Sequence, residues 1–513
     1  MTAKALMVLG TASHAGKSLL TAALCRIFVQ EGFSVAPFKA QNMALNSAAT
    51  PDGLEIGRAQ AMQAEAAGIE PSVDMNPVLI KPSSDTTSQI IVQGRVWTDL
   101  TAADYHTKRV TELFPLVVES YNRLAAKHDL IILEGAGSPA EINLKENDIV
   151  NMRMAAAADA ACILVGDIDR GGVFASFYGT LALLEPHERE RIRGFLINKF
   201  RGEESLLWPG IKMIEERIHK PCVGVVHYLH DVGLDEEDGV ALEDRRTPSR
   251  VWTTDDKNPD RPLRVGVVAL PYMSNFTDFD ALAAEPSIAL AYLSHPEEVA
   301  QADILILPGT KQTIGDLRWL KEKGFSQPIH AHSILKPLIG ICGGMQMLGH
   351  EIADPANMEG GGSEPGLELL PIRTKLLQEK ITRRAKVDMF HTQIFKQPMA
   401  CLSSSGYEIH LGTTVYKENA KPLFRLTREG DNQAIFDGAI SSNEMVLGTY
   451  LHGLFDDDLF RHSFILAARM AFNLNPPIEM VDVRKERDAR FDRLADHVLK
   501  RIDLNTIRSW IGL

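Results

Sequence analysis

The chain has 513 residues, 45% hydrophobic and 24% charged, with a formal net charge of -13. That length exceeds what one core usually fills, so two domains and a connector are expected, and the acidic balance without a long Lys/Arg run excludes nucleic acid as an expected partner. The five cysteines show no CxxC spacing, which excludes a disulfide framework or structural zinc site, and no apolar stretch is long enough for a signal peptide or membrane span, so a cytoplasmic protein with no membrane partner is expected.

Ala5 to Leu9 is an apolar run that stops at Gly10, and GTASHAGKS then leads into the helical pattern Leu19, Leu20, Ala23, Leu24, Ile27. A strand, a glycine-rich loop, Lys-Ser and a helix form a phosphate cradle. Gly10, Thr11, Gly16, Lys17 and Ser18 are therefore candidate ATP contacts, and Ser18 is a candidate Mg²⁺ ligand. The first glycine lies one place earlier than in GxxxxGK[ST]; the form Gly-Thr-x-x-x-x-Gly-Lys-Ser resembles the loop of dethiobiotin synthetase and its relatives.

Ser34 to Phe38 reads as a second strand, and PFKAQNMALNS follows at its C-terminal end, where open α/β sheets bind ligands. Lys39 is placed for an anion, and Gln41, Asn42 and Asn46 supply neutral polar groups. Lys81, after the run VLI, is either a surface residue or a second anion contact. Asp129 to Leu133 is a third strand ending in Glu134-Gly-Ala-Gly, and a carboxylate at such a strand tip is a second metal candidate. Asp148 lies in the loop after it, with Ile149 and Val150 beside it suggesting partial burial. Further strands at Ala161 to Val165 and Gly194 to Ile197 complete a repeated βα pattern. Asn198 at the last strand end is similar to the adenine-meeting asparagine of dethiobiotin synthetase-like enzymes.

Polar runs between Asp235 and Pro262 mark a boundary. The expected domains are 1–234 for ATP-dependent chemistry, 235–262 as linker, and 263–513 as a second α/β domain whose final amphipathic helices pack on its outside. In that second part, Ile304 to Leu307 precedes Pro308-Gly309. Leu338 to Ile341 leads into Cys342-Gly343-Gly344 and a helix, the strand-turn-helix of a nucleophile elbow. Val446 to Leu451 delivers His452, a candidate base for Cys342.

Ile-Cys-Gly-Gly-Met-Gln resembles the nucleophile segment of class I glutamine amidotransferases. That resemblance implies oxyanion donors at Gly309 and Gly343, each worth roughly 2–4 kcal/mol to a tetrahedral intermediate. Many of those enzymes orient the histidine with a glutamate two residues later, but this chain has Leu454 there, and Glu408 and His410 are the candidates left for orienting the base or holding glutamine.

GTASHAGKS, PFKAQNMALNS, EGAG, DIDRGG, NKFRG, GICGGMQMLG, GYEIHLG and YLHGLF together, in this order, resemble the cobyric acid synthases, the glutamine-dependent amidotransferases of cobalamin biosynthesis. The resemblance implies a dethiobiotin-synthetase-like P-loop parallel-sheet domain followed by a class I glutamine amidotransferase-like α/β domain. It implies amidation of adenosylcobyrinic acid a,c-diamide at its b, d, e and g carboxylates with ATP, Mg²⁺ and L-glutamine, and no tightly bound prosthetic group. Homo-oligomerisation is left open. Two alternatives are a cobyrinic acid a,c-diamide synthase, disfavoured by Ala-Gln-Asn-Met after Lys39, and a MinD-like ATPase switch with a degenerate glutaminase domain.

Overall fold

The computed structural model describes residues 3–82, 87–101, 109–229, 233–234, 252, 257–359, 361–418, 420–431 and 433–513. Most of the expected linker, 235–262, lies outside them. The chain divides into two compact units, one made of Met1–Ala44, Ile56–Glu237 and Lys485–Leu513, the other of Leu45–Glu55 and Asp238–Arg484.

The first unit is built on six parallel strands in the order Cys222–His227, Ile192–Phe200, Ala161–Asp167, Lys4–Gly10, Leu130–Glu134, Val35–Phe38. Helices cover such a sheet on both faces, which is why its strands read as unbroken apolar runs such as LIIL and ALMVL. A smaller sheet of four strands holds Gln41–Met43, Val78–Pro82, Thr87–Val92 and Arg95–Thr101.

The terminal helices belong to this first unit, which corrects their expected place with the second domain. Phe491, Leu494, Ala495 and Val498 form an apolar stripe at helical spacing, and with Leu504, Ile507 and Ile511 they enter the same core as Leu24, Ile27 and Phe28. Arg26 Nε bonds Asp492 at 2.8 Å. Periodicity showed that these helices have a buried face without showing which core receives it.

The second unit has a sheet in the order Ile288–Leu293, Leu263–Val268, Ile304–Leu307, Leu338–Ile341, Val446–Thr449, Ala439–Ile440, parallel except for the last strand. It also has a mixed seven-stranded sheet dominated by the antiparallel pair Ile372–Met389 and Ser403–Tyr416. Ile372–Met389 alternates buried and exposed residues at both ends, the mark of a strand with one solvated face, whereas Ser403–Tyr416 is buried on both faces from Tyr407 to Gly412.

Candidate active site

In the first unit, Gly16 adopts φ 90°, and a Cβ there would lie 2.2 Å from Asn198 Nδ2, so only glycine lets the loop close against this asparagine. Asn198 Nδ2 donates to the Ala15 carbonyl at 2.9 Å and Lys199 Nζ to the His14 carbonyl at 2.7 Å. The Thr11 N–H donates to the Val165 carbonyl. Lys17 Nζ reaches the carbonyls of Ala12 and Gly137 at 3.0 and 3.2 Å, putting its charge over the loop.

Glu134 ends the neighbouring strand and is fully buried. Its Oε1 accepts from Ser18 Oγ and Lys39 Nζ, both at 2.9 Å, and its Oε2 from Gln63 Nε2 at 2.6 Å. The expected metal pair, Ser18 and Glu134, is thus in direct contact. A hydroxyl and a carboxylate at a phosphate-binding loop are hard oxygen donors of the kind Mg²⁺ takes, so these residues fit the ion.

In the second unit Cys342 sits between strand Leu338–Ile341 and helix Gly343–Leu348 with φ 52° and ψ -110°. Such a conformation costs a β-carbon-bearing residue about 1–3 kcal/mol and is characteristic of functional sites. The turn is held by the Cys342 N–H donating to the Thr449 carbonyl at 2.8 Å. Close packing leaves no room for a side chain at Gly344, where a Cβ would lie 2.0 Å from the Leu307 carbonyl oxygen.

His452 is fully buried, and its Nδ1 lies 2.7 Å from Asp278 Oδ2; the other carboxylate oxygen accepts the Gly453 N–H at 3.0 Å. Burial opposes the charged ring, but Asp278 and the Cys342 side chain outweigh it, and His452 is pushed up to about 10. Tyr407 stacks on the ring with centroids 5.5 Å apart and planes 18° apart. A Cβ on Gly309 would come within 2.9 Å of His452 Cε1 and 3.7 Å of Cys342 Cβ, and one on Gly343 within 3.2 Å of Thr310 N. Cysteine, histidine and both glycine turns therefore meet at one point. A thiol beside an imidazole that a carboxylate orients is equipped for nucleophilic attack on an acyl carbon.

Residues 6–242 match the family model described as CobQ/CobB/MinD/ParA nucleotide binding domain, and residues 264–460 the one described as CobB/CobQ-like glutamine amidotransferase domain. The cobyric acid synthase of Citrobacter koseri is 48% identical over 98% of this chain and 97% of its own length. Those of Thermoanaerobacter sp. and Salmonella arizonae are 46% and 47% identical over the same shares. The chain belongs to the cobyric acid synthase family. A P-loop nucleotide-binding domain precedes a glutamine amidotransferase domain in this chain, and the protein is an enzyme.

Within this cobyric acid synthase framework the remaining sequence candidates divide. Lys39 joins Glu134, whereas Asn42 is buried and donates from Nδ2 to Gln60 Oε1 at 3.0 Å, inside the fold. Gln41 and Lys81 lie on adjacent strands of the small sheet, and Lys81 is buried opposite Gln89. Asp148 accepts the N–H groups of Val150 and Asn151 at 2.9 and 3.2 Å, so its carboxylate shapes the turn before helix Met152–Ala157. Asn46 is in the second unit, where its Oδ1 accepts the Phe276 N–H.

Neither candidate for the orienting group fills that place. Glu408 is taken by Arg428 Nε at 2.7 Å and by His410 at 3.3 Å; burial works against its charge, yet these partners hold it below the usual carboxylate range. Asp278, which sequence reasoning missed, stands there instead. One signal was in the chain: SNFTDFD lies in the stretch that follows strand Leu263–Val268, and segments beyond the C-terminal ends of parallel strands are ligand-binding territory.

Proposed function

We propose that this chain converts adenosylcobyrinic acid a,c-diamide to adenosylcobyric acid, amidating the b, d, e and g carboxylates with one ATP and one glutamine each. The single observation that supports this most is the Cys342, His452, Asp278 and Gly309 constellation in a chain that aligns end to end with cobyric acid synthases.

In the glutaminase unit, Asp278 fixes the tautomer and orientation of His452, which takes the Cys342 proton and holds it as imidazolium. The thiolate attacks the glutamine side-chain amide, and the N–H groups of Gly309 and Gly343 receive the developing oxyanion. His452 returns the proton to the leaving nitrogen, ammonia departs, and water hydrolyses the thioester to glutamate. In the nucleotide-binding unit, Lys17 holds the ATP phosphates while Asn198 meets the adenine. Ser18 and Glu134 would hold Mg²⁺, which neutralises phosphate charge when bound. Lys39 steadies the corrinoid carboxylate as it takes the γ-phosphate and ADP leaves. Ammonia then displaces phosphate from the acyl phosphate to give the amide.

The test is an assay of purified protein with ATP, Mg²⁺ and glutamine on both corrinoids. Four successive carboxylate-to-amide conversions of the a,c-diamide, each with one ADP and one glutamate, are expected. Amidation of cobyrinic acid itself at positions a and c would overturn the assignment.

A further inference from the structure

Residues Leu45–Glu55 are built into the glutaminase unit, although the chain on either side, up to Ala44 and from Ile56, belongs to the nucleotide-binding unit. Both roots of this excursion are tied down in the nucleotide-binding unit. The Ala44 N–H donates to the Ile80 carbonyl at 3.1 Å and the Gly57 N–H to Asn76 Oδ1 at 3.2 Å. Five residues before the first root end is Lys39, whose ammonium pairs with Glu134.

Inside the glutaminase unit, one strand grips the segment. Lys380 pairs with the buried Glu55, Arg383 Nη1 donates to the Gly53 carbonyl at 2.9 Å, and Arg384 Nε to the Ala49 carbonyl at 3.4 Å. The segment's first residues reach the support of His452. The Phe276 N–H donates to Asn46 Oδ1 and the Ser47 N–H to Asn275 Oδ1, both at 3.3 Å. Asn275 Nδ2 in turn donates to the Tyr407 hydroxyl at 3.4 Å. Asn275 and Phe276 head the turn Phe276–Phe279 that carries Asp278, and Tyr407 is the ring stacked on His452. These bonds are long, so each is weak, but all converge on the two groups that fix the histidine.

We propose that Leu45–Glu55 is a coupling arm, through which the state of the Lys39 loop adjusts the Asp278 turn and so sets the rate of glutamine hydrolysis. Asn46 is its positioning residue, acting on Asp278 through the Phe276 N–H. The inference rests on the amidotransferase reading above and adds to it a route by which ammonia is released when an acceptor is present.

The experiment uses the full-length protein and its Asn46→Ala and Asn46→Asp variants. Glutamate release is measured with glutamine alone and with ATP, Mg²⁺ and adenosylcobyrinic acid a,c-diamide added, and ammonia-driven amidation is measured separately. In the wild type the additions stimulate hydrolysis through kcat. In Asn46→Ala the stimulation falls by about tenfold while ammonia-driven amidation stays within about twofold of wild type. Asn46→Asp, which keeps the acceptor oxygen, restores the stimulation. Unstimulated wild type, full stimulation in Asn46→Ala, no rescue by aspartate, or a parallel fall in ammonia-driven amidation would each overturn the arm. A wild type that releases no glutamate under any condition would instead sink the amidotransferase reading itself.

Discussion

Glu134, at the end of a strand, and Asp278, on a 3₁₀ turn, are both buried carboxylates, yet they are held in opposite ways. Glu134 shares its charge among Ser18, Lys39 and Gln63, three side chains from three segments. Asp278 is committed to one residue and its neighbour, His452 Nδ1 and the Gly453 N–H. A carboxylate with three side-chain partners keeps two when one is removed, whereas a dedicated one makes a single proton position depend on a single group. The two units should therefore fail differently when cut.

The largest effect should come from Cys342→Ala. Removing the nucleophile is expected to lower glutamine-dependent amidation by at least about 10⁴-fold while synthesis from high ammonia persists. Glutamate release and product formation, measured in parallel, check this; loss of both would mean that the units do not divide the chemistry as argued. Next in size is Lys17→Ala, expected to reduce ATP-dependent amidation by about 10²–10³-fold because one full charge leaves the phosphate cradle. Iodoacetamide labelling of Cys342 should be unchanged in that variant. Unimpaired amidation would break the assignment of the loop.

The contrast between the carboxylates also explains what the sequence disclosed. Ser18 and Glu134 were both found because a phosphate loop is local and each carries a recognisable neighbour pattern, Gly-Lys-Ser and an apolar strand ending in Glu-Gly-Ala-Gly. Cys342 and His452 were found for the same reason, each at the end of an apolar run. Asp278 has no such frame: it lies on a single 3₁₀ turn, and its meaning appears only when the chain folds 174 positions back on itself. The helices after Lys485 belong to the other unit than expected because an apolar face declares that it is buried without naming its partner, and Leu45–Glu55, LNSAATPDGLE, because the chain on both sides of it belongs to the nucleotide-binding unit. The parallel sheets were legible because their strands are buried on both faces. The long antiparallel pair was not anticipated, because half of its residues are polar.

Asp278→Asn should match Lys17→Ala, lowering glutamine hydrolysis by about 10²–10³-fold with little change in ammonia-driven synthesis. It also carries a pH signature. The folded state raises His452 from near 6.5 to about 10, so its charged form stabilises the fold fully below about pH 6.5, and that contribution fades as pH rises toward 10. The Tm advantage of wild type over Asp278→Asn should accordingly shrink between those pH values. An advantage independent of pH would mean that Asp278 does not sustain the imidazolium.

The smallest effect is expected at Asp148, and it tests whether a carboxylate near the phosphate cradle serves substrate or scaffold. Its two oxygens accept the Val150 and Asn151 N–H groups, and the Asn151 side chain bonds both the N–H and the carbonyl of Ala136 in the loop after Glu134. Losing a carboxylate in such a capping role typically costs about 1 kcal/mol, so Asp148→Ala should lower the unfolding midpoint of the nucleotide-binding unit slightly. Asp148→Asn retains an acceptor and should recover most of that loss. Because the scaffold role uses the oxygens and a substrate role uses the charge, the asparagine variant separates them. Unchanged corrinoid KM in Asp148→Asn would place the residue with the scaffold, and a KM rise of about tenfold at unchanged stability would return it to the substrate site.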